Sequence, residues 1–140
     1  MYLIDTNVIS ELRKAARAHA GVQAFFKTAR EAGHPLYLSV ITVGELRRGV
    51  ELIRYRGDHT QADLLDQWLH SVVTDYQANI LPFGQEAAQV WGRLRVPHAQ
   101  LELDKQIAAT ALVYGLTVVT RNTADFAGCG VALLNPFLDA

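Results

Sequence analysis

Asp5, Glu45, Asp104 and Asp125 each stand where a strand-like run gives way to a helix, or near the start of a helix. If those elements share one small sheet, its edge gathers carboxylates. A nest of carboxylate oxygens suits a hard divalent cation such as Mg2+ or Mn2+, which binds one or two acids directly and keeps several waters. Such an ion acidifies water and offsets charge on a transferring phosphoryl group, so the chemistry this set could serve is phosphodiester hydrolysis. Asp5 and Asp104 are expected as the principal ligands. Glu45 would be a ligand or a base acting through water, and Asp125 an outer support or a second-ion ligand.

Each acid also has a local explanation. Asp5 can cap the helix that follows it. Glu45, in the first turn of a helix, can simply favour the helix dipole. Asp104 can cap the helix it opens, with Glu102 acting on the same helix end from outside. Asp125 can be a loop acid, and its four-residue spacing from Arg121 permits a weak ion pair. The Thr120 hydroxyl can orient a water or a carboxylate, and Asn122 can cap the short turn after it.

The elements that must position these groups follow from apolar spacing. Residues 2–4 form a short apolar run suited to a buried strand, and residues 8–14 read as a short helix. Residues 20–32 predict a helix with Val22, Phe25, Phe26 and Ala29 on one face, ended at Gly33-His-Pro35. Residues 36–40 are the next strand. A helix follows Thr42, where Val43, Leu46, Val50 and Ile53 recur at three- and four-residue steps. Gly44 and Gly49 inside it each cost roughly 1 kcal/mol of propensity. Ala62, Leu65, Trp68, Leu69 and Val72 mark a fourth helix. Residues 79–83 give a short strand and turn, because Pro82 opposes further ladder pairing. Residues 85–93 are helical, with Ala88 and Trp91 facing inward. Residues 104–114 are helical, with Ile107, Ala108, Ala111 and Leu112 as the buried stripe and Gly115 as the C-cap. Residues 116–120 and 131–134 are strand-like. Strands separated by helices predict an α/β fold with a mainly parallel sheet covered on both faces. Ligands in such folds gather outside the carboxyl ends of the strands.

The chain has 140 residues, enough for one domain spanning residues 1–140, and half of them are apolar. A formal net charge of -1 gives no general attraction to nucleic acid, although a local basic rim is compatible with that total. The single cysteine, Cys129, excludes an intramolecular disulfide and fits a reducing compartment. No signal peptide and no membrane-spanning run is read, so a cytoplasmic location is expected. The five histidines lack zinc spacing, and no glycine-rich phosphate loop is present.

Taken together, Tyr2-Leu-Ile-Asp-Thr-Asn-Val-Ile-Ser-Glu-Leu12 resembles the opening of PIN-domain proteins, especially VapC-like toxins of bacterial toxin–antitoxin modules. The segment Leu38-Ser-Val-Ile-Thr-Val-Gly-Glu-Leu-Arg-Arg-Gly49 is similar to that family's second acidic segment, and Asp104-Lys-Gln-Ile-Ala-Ala-Thr-Ala111 to its third. Val119-Thr-Arg-Asn-Thr-Ala-Asp-Phe126 and Val131-Ala-Leu-Leu-Asn-Pro-Phe137 resemble its terminal pattern. The resemblance implies a PIN-like three-layer fold and a Mg2+- or Mn2+-dependent endoribonuclease. It places Asp5, Glu45, Asp104 and Asp125 at the acidic positions and gives Thr6, Asn7, Ser39 and Asn122 supporting roles. It also implies a homodimer and neutralisation by a small cognate antitoxin that obstructs the cleft. Arg121, beside the expected site, is the better candidate for RNA phosphate. Arg48 belongs to the run Arg47, Arg48, Arg54 and Arg56, which either pairs with acids such as Glu51 or positions phosphate. The main alternative is a noncatalytic RNA-binding or protein-interaction module whose acids serve as caps. A metal-dependent phosphatase is disfavoured, because Asp5-Thr-Asn7 supplies one acid where an aspartyl nucleophile would need company.

Overall fold

The computed structural model describes residues 1–138. Five strands, β1 (Tyr2–Ile4), β2 (Leu36–Ser39), β3 (Ile80–Leu81), β4 (Thr117–Val119) and β5 (Leu133–Leu134), form one sheet in the order β3-β2-β1-β4-β5. Every neighbouring pair is parallel. Leu3 pairs in register with Val118 and Ile4 with Val119. Successive side chains on a strand point to opposite faces, and each face has its own core. Ile4, Leu38 and Val119 meet the helices α1 (Thr6–Ile9), α2 (Ala20–Glu31), α3 (Val40–Tyr55) and α4 (His59–Asp75). Leu3 and Val118 meet α6 (Glu102–Tyr114) and α7 (Thr123–Phe126), with α5 (Gln85–Leu94) packed outside α6. This is the expected α/β sandwich of three layers. Among the described residues no helix is long and apolar enough to cross a membrane.

The topology itself selects a place for chemistry. From β1 the chain steps to β2 and β3 on one side, then returns to lay β4 on the other side of β1. The order therefore reverses between β1 and β4, and in open α/β sheets the binding crevice lies outside the carboxyl ends of the strands at such a reversal. Asp5 and Thr120 are the residues that leave those two strands.

Several element boundaries differ from those read in the sequence. The first helix starts at Thr6 rather than Val8, because Asp5 accepts the Thr6 amide, and it runs into a 3-10 stretch, Ser10–Arg17. Ala15 breaks that stretch with φ 52° and ψ -122°. Glu11 holds the bend by accepting the His19 amide at 2.9 Å and the Lys14 ammonium at 2.9 Å. Helix α3 starts at Val40, not after Thr42: Ser39 ends β2 and accepts the Ile41 amide at 3.0 Å as an N-cap. Glu45 thus lies beyond the first turn, which weakens its reading as a dipole partner. In α5 the buried residue is Ala87, whereas Ala88 and Trp91 are half-buried. In α6 five consecutive residues, Ile107 to Ala111, are buried, whereas Leu112 is 37% exposed. Helix α6 lies between the sheet and α5, so both of its sides need small or apolar groups and a single stripe does not describe it. Gly115 ends α6 in the left-handed region, as expected.

Candidate functional site

At the crevice, Asp5 is only 4% exposed, yet three groups donate to its carboxylate. The Thr6 amide reaches Oδ1 at 2.8 Å, while the Thr120 hydroxyl and Asn7 Nδ2 reach Oδ2 at 2.7 and 3.2 Å. Thr120 is fully buried and accepts the Asn122 amide at 3.0 Å, which directs its one hydroxyl proton toward Asp5. Asn7 Oδ1 accepts the Arg121 amide at 3.0 Å, so Asn7 ties the exit of β1 to the exit of β4. Asp5 Oδ1, with one donor, keeps a lone pair for a ligand. Asp5 is therefore a cap at the carboxyl end of β1, with the second oxygen held by Thr120 and Asn7, as a two-oxygen group can be.

Glu45 reaches the same region from the second turn of α3. Its Oε1 accepts the Thr6 hydroxyl at 2.8 Å, and that hydroxyl lies 3.3 Å from the hydroxyl of Thr42. Asp104 is the third residue of α6 and Asp125 lies within α7; both are half-buried. The start of α6 is fastened to α5 by the Trp91 indole N–H, which donates to the Glu102 carbonyl at 3.2 Å. Arg95 adds a 2.9 Å ion pair to the Glu102 carboxylate. Glu102 is thus committed to Arg95.

Three of these carboxyls are raised, each by burial first. Burial raises the Asp104 carboxyl from its ordinary 3.8 to about 6, and Asp5, Asp125 and Glu45 push in the same direction. Burial also raises Asp5; its three hydrogen bonds pull it back and Asp125 pushes it up. Glu45 is raised by burial and by Asp5, against the Thr6 hydroxyl. Among the described residues, no three histidine, cysteine, aspartate or glutamate side chains close into a ready-made metal cage. A cage is not what a hydrated hard cation requires, since one or two carboxylates and several waters suffice. The donor set here is entirely oxygen and carries one sign of charge, which fits such an ion.

The remaining expected residues divide. Thr6, Asn7 and Thr120 hold the acids directly. Ser39 is fully buried and its hydroxyl is used as the α3 cap. The Asn122 side chain makes no capping bond; its backbone amide holds Thr120 instead. Arg121 and Asp125 form no ion pair among the described residues, because α7 begins after Arg121 and the four-residue spacing is not helical. Arg47 and Arg54 pair with Glu51, Asp63 and Asp66, while Arg48 is exposed and makes no ion pair among the described residues. Two residues were not singled out from sequence. Thr42 is fully buried beside Thr6, and its only sequence signal is a hydroxyl in an apolar stretch. Arg13 lines, with Thr6, Ser10 and Glu45, a cavity of about 190 Å3 between the 3-10 stretch and helices α3 and α4. Nothing in the local sequence sets Arg13 apart.

Comparison with known proteins adds a second line of support. Residues 2–128 match the family model for the PIN domain. The chain is 35% identical to the toxin FitB of Neisseria gonorrhoeae, across 99% of this chain and 100% of that protein. It is 33% identical to the VapC ribonuclease Y4jK of Sinorhizobium fredii, across 98% of each. The crystal structure of FitAcB from Neisseria gonorrhoeae superposes with a TM-score of 0.83 at 34% identity, covering 98% of this chain and 99% of that one.

Proposed function

The chain belongs to the PIN-domain family, and on that premise we propose that it is a Mg2+- or Mn2+-dependent endoribonuclease, the toxin of a toxin–antitoxin pair that restrains translation or growth in the cytoplasm. What supports this reading is that Asp5, Glu45, Asp104 and Asp125 come from separate elements yet lie within reach of one another's charge, with burial first and the neighbouring acids second raising Asp104 to about 6. Pure capping would place each acid at its own helix end and would not bring the four charges together.

In this reading residues 1–140 act as one domain. Asp5 and Asp104 would hold the cation directly, Glu45 would hold it or accept a proton from the attacking water, and Asp125 would support the pair from outside. When bound, the ion supplies positive charge for the scissile phosphate and acidifies water. The chain's own groups do the positioning. Thr120 and Asn7 fix the rotamer of Asp5, and Thr6 fixes one oxygen of Glu45 and leaves the other to face substrate water. Ser39 and Asn122 support the site through the start of α3 and through Thr120. Arg48 and Arg121 are the cations offered to RNA phosphates. Membership of the family motivates two further expectations, a homodimer and a small antitoxin that covers the crevice.

The test is incubation of RNA with the purified, antitoxin-free protein across Mg2+ and Mn2+ concentrations, beside Asp5→Asn and Asp104→Asn. Internal cleavage that needs the cation and is largely lost in both folded variants is the expected result. Cleavage that survives chelation, or that is equal in the folded variants, would overturn the mechanism and leave a noncatalytic module as the better reading.

A further inference from the structure

Arg121 leaves β4 directly after Thr120, the residue whose hydroxyl holds Asp5. Its backbone is clamped on both sides. The amide donates to Asn7 Oδ1 at 3.0 Å, and the carbonyl accepts from Asn135 Nδ2 at 3.4 Å. Asn135 also accepts the Phe137 amide at 2.9 Å, so one side chain links Arg121 to Phe137. The Arg121 guanidinium lies 4.5 Å from the centroid of the Phe137 ring, and the His19 imidazole packs against that ring at 5.0 Å. Arg121 is exposed. Among the described residues its side chain forms no ion pair, and it is not among the charges that shift Asp5, Glu45 or Asp104.

The arginine that adjoins the acidic crevice is thus not neutralised by it. Instead a ring orients it, and among the described residues its guanidinium N–H edges have no partner. A guanidinium fixed in this way has two faculties that an ammonium lacks: its edge donates to phosphate in a fork, and its flat face stacks on a base. Single-stranded RNA offers both groups together, since its unstacked bases splay onto aromatic or arginine planes. A strand whose scissile phosphate lies at Asp5 must run on past the exits of β1 or β4, and Arg121 stands at the exit of β4.

We propose that Arg121 and Phe137 form a platform for the nucleotide that flanks the cleaved phosphodiester of single-stranded RNA, with the guanidinium edge on its phosphate and the open guanidinium face under its base. The proposal rests on the nuclease reading above and adds the direction in which the strand leaves the acids. Phe137 acts here as a positioning residue, because it sets the plane of Arg121.

Binding is measured with cleavage silenced. The full chain carrying Asp104→Asn, in chelator, is titrated with a fluorescent single-stranded oligoribonucleotide at several salt concentrations, alone and combined with Arg121→Ala, Arg121→Lys or Phe137→Leu. Arg121→Ala is expected to weaken binding about tenfold and to reduce the salt slope by about 0.7, the value for one phosphate on a single strand. Arg121→Lys should keep the salt slope yet lose most of the base-dependent part. Phe137→Leu, which keeps apolar bulk against His19, should fall between the two. In the cleavage-competent chain the same changes should raise KM and leave kcat nearly unchanged. If the otherwise unaltered chain cleaves RNA and folded Arg121→Ala matches it in KM and in binding, the platform is overturned while the nuclease reading stands. If Lys substitutes fully for Arg, the stacking role is overturned. If the chain neither binds nor cleaves RNA with Mg2+ or Mn2+, the nuclease reading falls and the platform with it.

Discussion

Helix α3 serves two charged clusters of opposite design. On its outer side Arg47, Glu51 and Arg54 interleave with Asp63 and Asp66 of α4 in exposed pairs of alternating sign, at 2.9 to 3.8 Å. At its sheet end Glu45 joins Asp5, Asp104 and Asp125, which are partly buried and of one sign. The outer cluster is what a surface adopts when its charges satisfy one another, and exposed pairs of this kind contribute little. The inner cluster works against itself, since burial and repulsion raise three of its carboxyls. Groups are kept in an unfavourable arrangement when the surrounding core enforces it, and such arrangements concentrate at functional sites. The contrast separates structure from function more sharply than a count of charges.

The strongest way to break this contrast lies within the inner cluster. Asp104→Asn and Asp5→Asn should each lower metal-dependent cleavage at least about 100-fold, as expected when a group that stabilises transition-state charge is lost. Their stabilities should diverge. Asp104 makes no side-chain hydrogen bond among the described residues and is destabilised by its neighbours, so its amide should hold or raise the thermal midpoint of the metal-free protein. At Asp5, one oxygen accepts one donor and the other accepts two, and the NH2 of Asn must face a donor, so the midpoint should fall. Equal midpoints for the two variants would show that the acids are not held as described.

Thr120→Val gives a smaller effect that tests the support rather than the ligands. Valine keeps the shape but removes the donor to Asp5 and leaves the Asn122 amide without its acceptor. The Asp5 carboxylate is buried, and a buried polar group that loses a partner costs about 1–3 kcal/mol, while loss of a group that orients a ligand typically reduces metal affinity or activity about 10–100-fold. Calorimetric Mn2+ titration beside thermal unfolding reads both. Unchanged Mn2+ affinity would remove Thr120 from the site.

What was legible in the sequence follows physical locality. The strand exits beside Asp5 and Thr120 are legible because apolar runs mark the strands, whereas Glu45, Asp104 and Asp125 each read locally as a cap or loop acid and are joined to Asp5 by the resemblance of their ordered motifs to the family. The fold class was legible from the same apolar runs. Contacts made through space were not. Thr42 reaches Thr6 across 36 residues, and Arg121 turns to Phe137 rather than to Asp125. The bend at Ala15 depends on Glu11 reaching the amide of His19, which no local propensity encodes. The start of α3 was misplaced because β-branched Val40, Ile41, Thr42 and Val43 read as strand continuation, whereas the Ser39 cap begins the helix. A one-sided stripe places Leu112 in the core, but α6 is covered on two sides and leaves Leu112 37% exposed.

A pH series sharpens the comparison further. The Asp104 carboxyl moves from 3.8 to about 6 on folding, so between those values the folded chain retains a proton that the unfolded chain has released. The associated stability is complete below the unfolded value and is lost as pH rises through the folded one. Asp5 and Glu45 are shifted in the same direction and steepen the loss. Solvent at this half-exposed carboxyl keeps the Asp104 share on the order of 1 kcal/mol. Urea unfolding in chelator should therefore give lower stability at pH 7 than at pH 5, with a shallower slope in Asp104→Asn, and saturating Mg2+ should flatten the slope. A parent protein that is flat across this range would remove the mutual repulsion on which the site is argued.

The outer cluster should answer most weakly, and that weakness is itself informative. Arg47 touches Glu51 at 3.4 Å and Asp66 at 3.0 Å, with its side chain about half exposed. In Arg47→Ala both pairs vanish, but Arg54 still bridges Glu51, Asp63 and Asp66, so no acid is left wholly unpaired. The loss should stay within about 1 kcal/mol, and it should shrink with added salt as screening shortens the reach of exposed charges to about 8 Å or less. RNA cleavage should match that of the unsubstituted chain, because nothing in this cluster faces the crevice acids. If Arg47→Ala instead raises KM for RNA with unchanged stability, the α3–α4 face is part of the RNA surface. The line between a self-satisfied cluster and a functional one would then have to be drawn by position rather than by pairing.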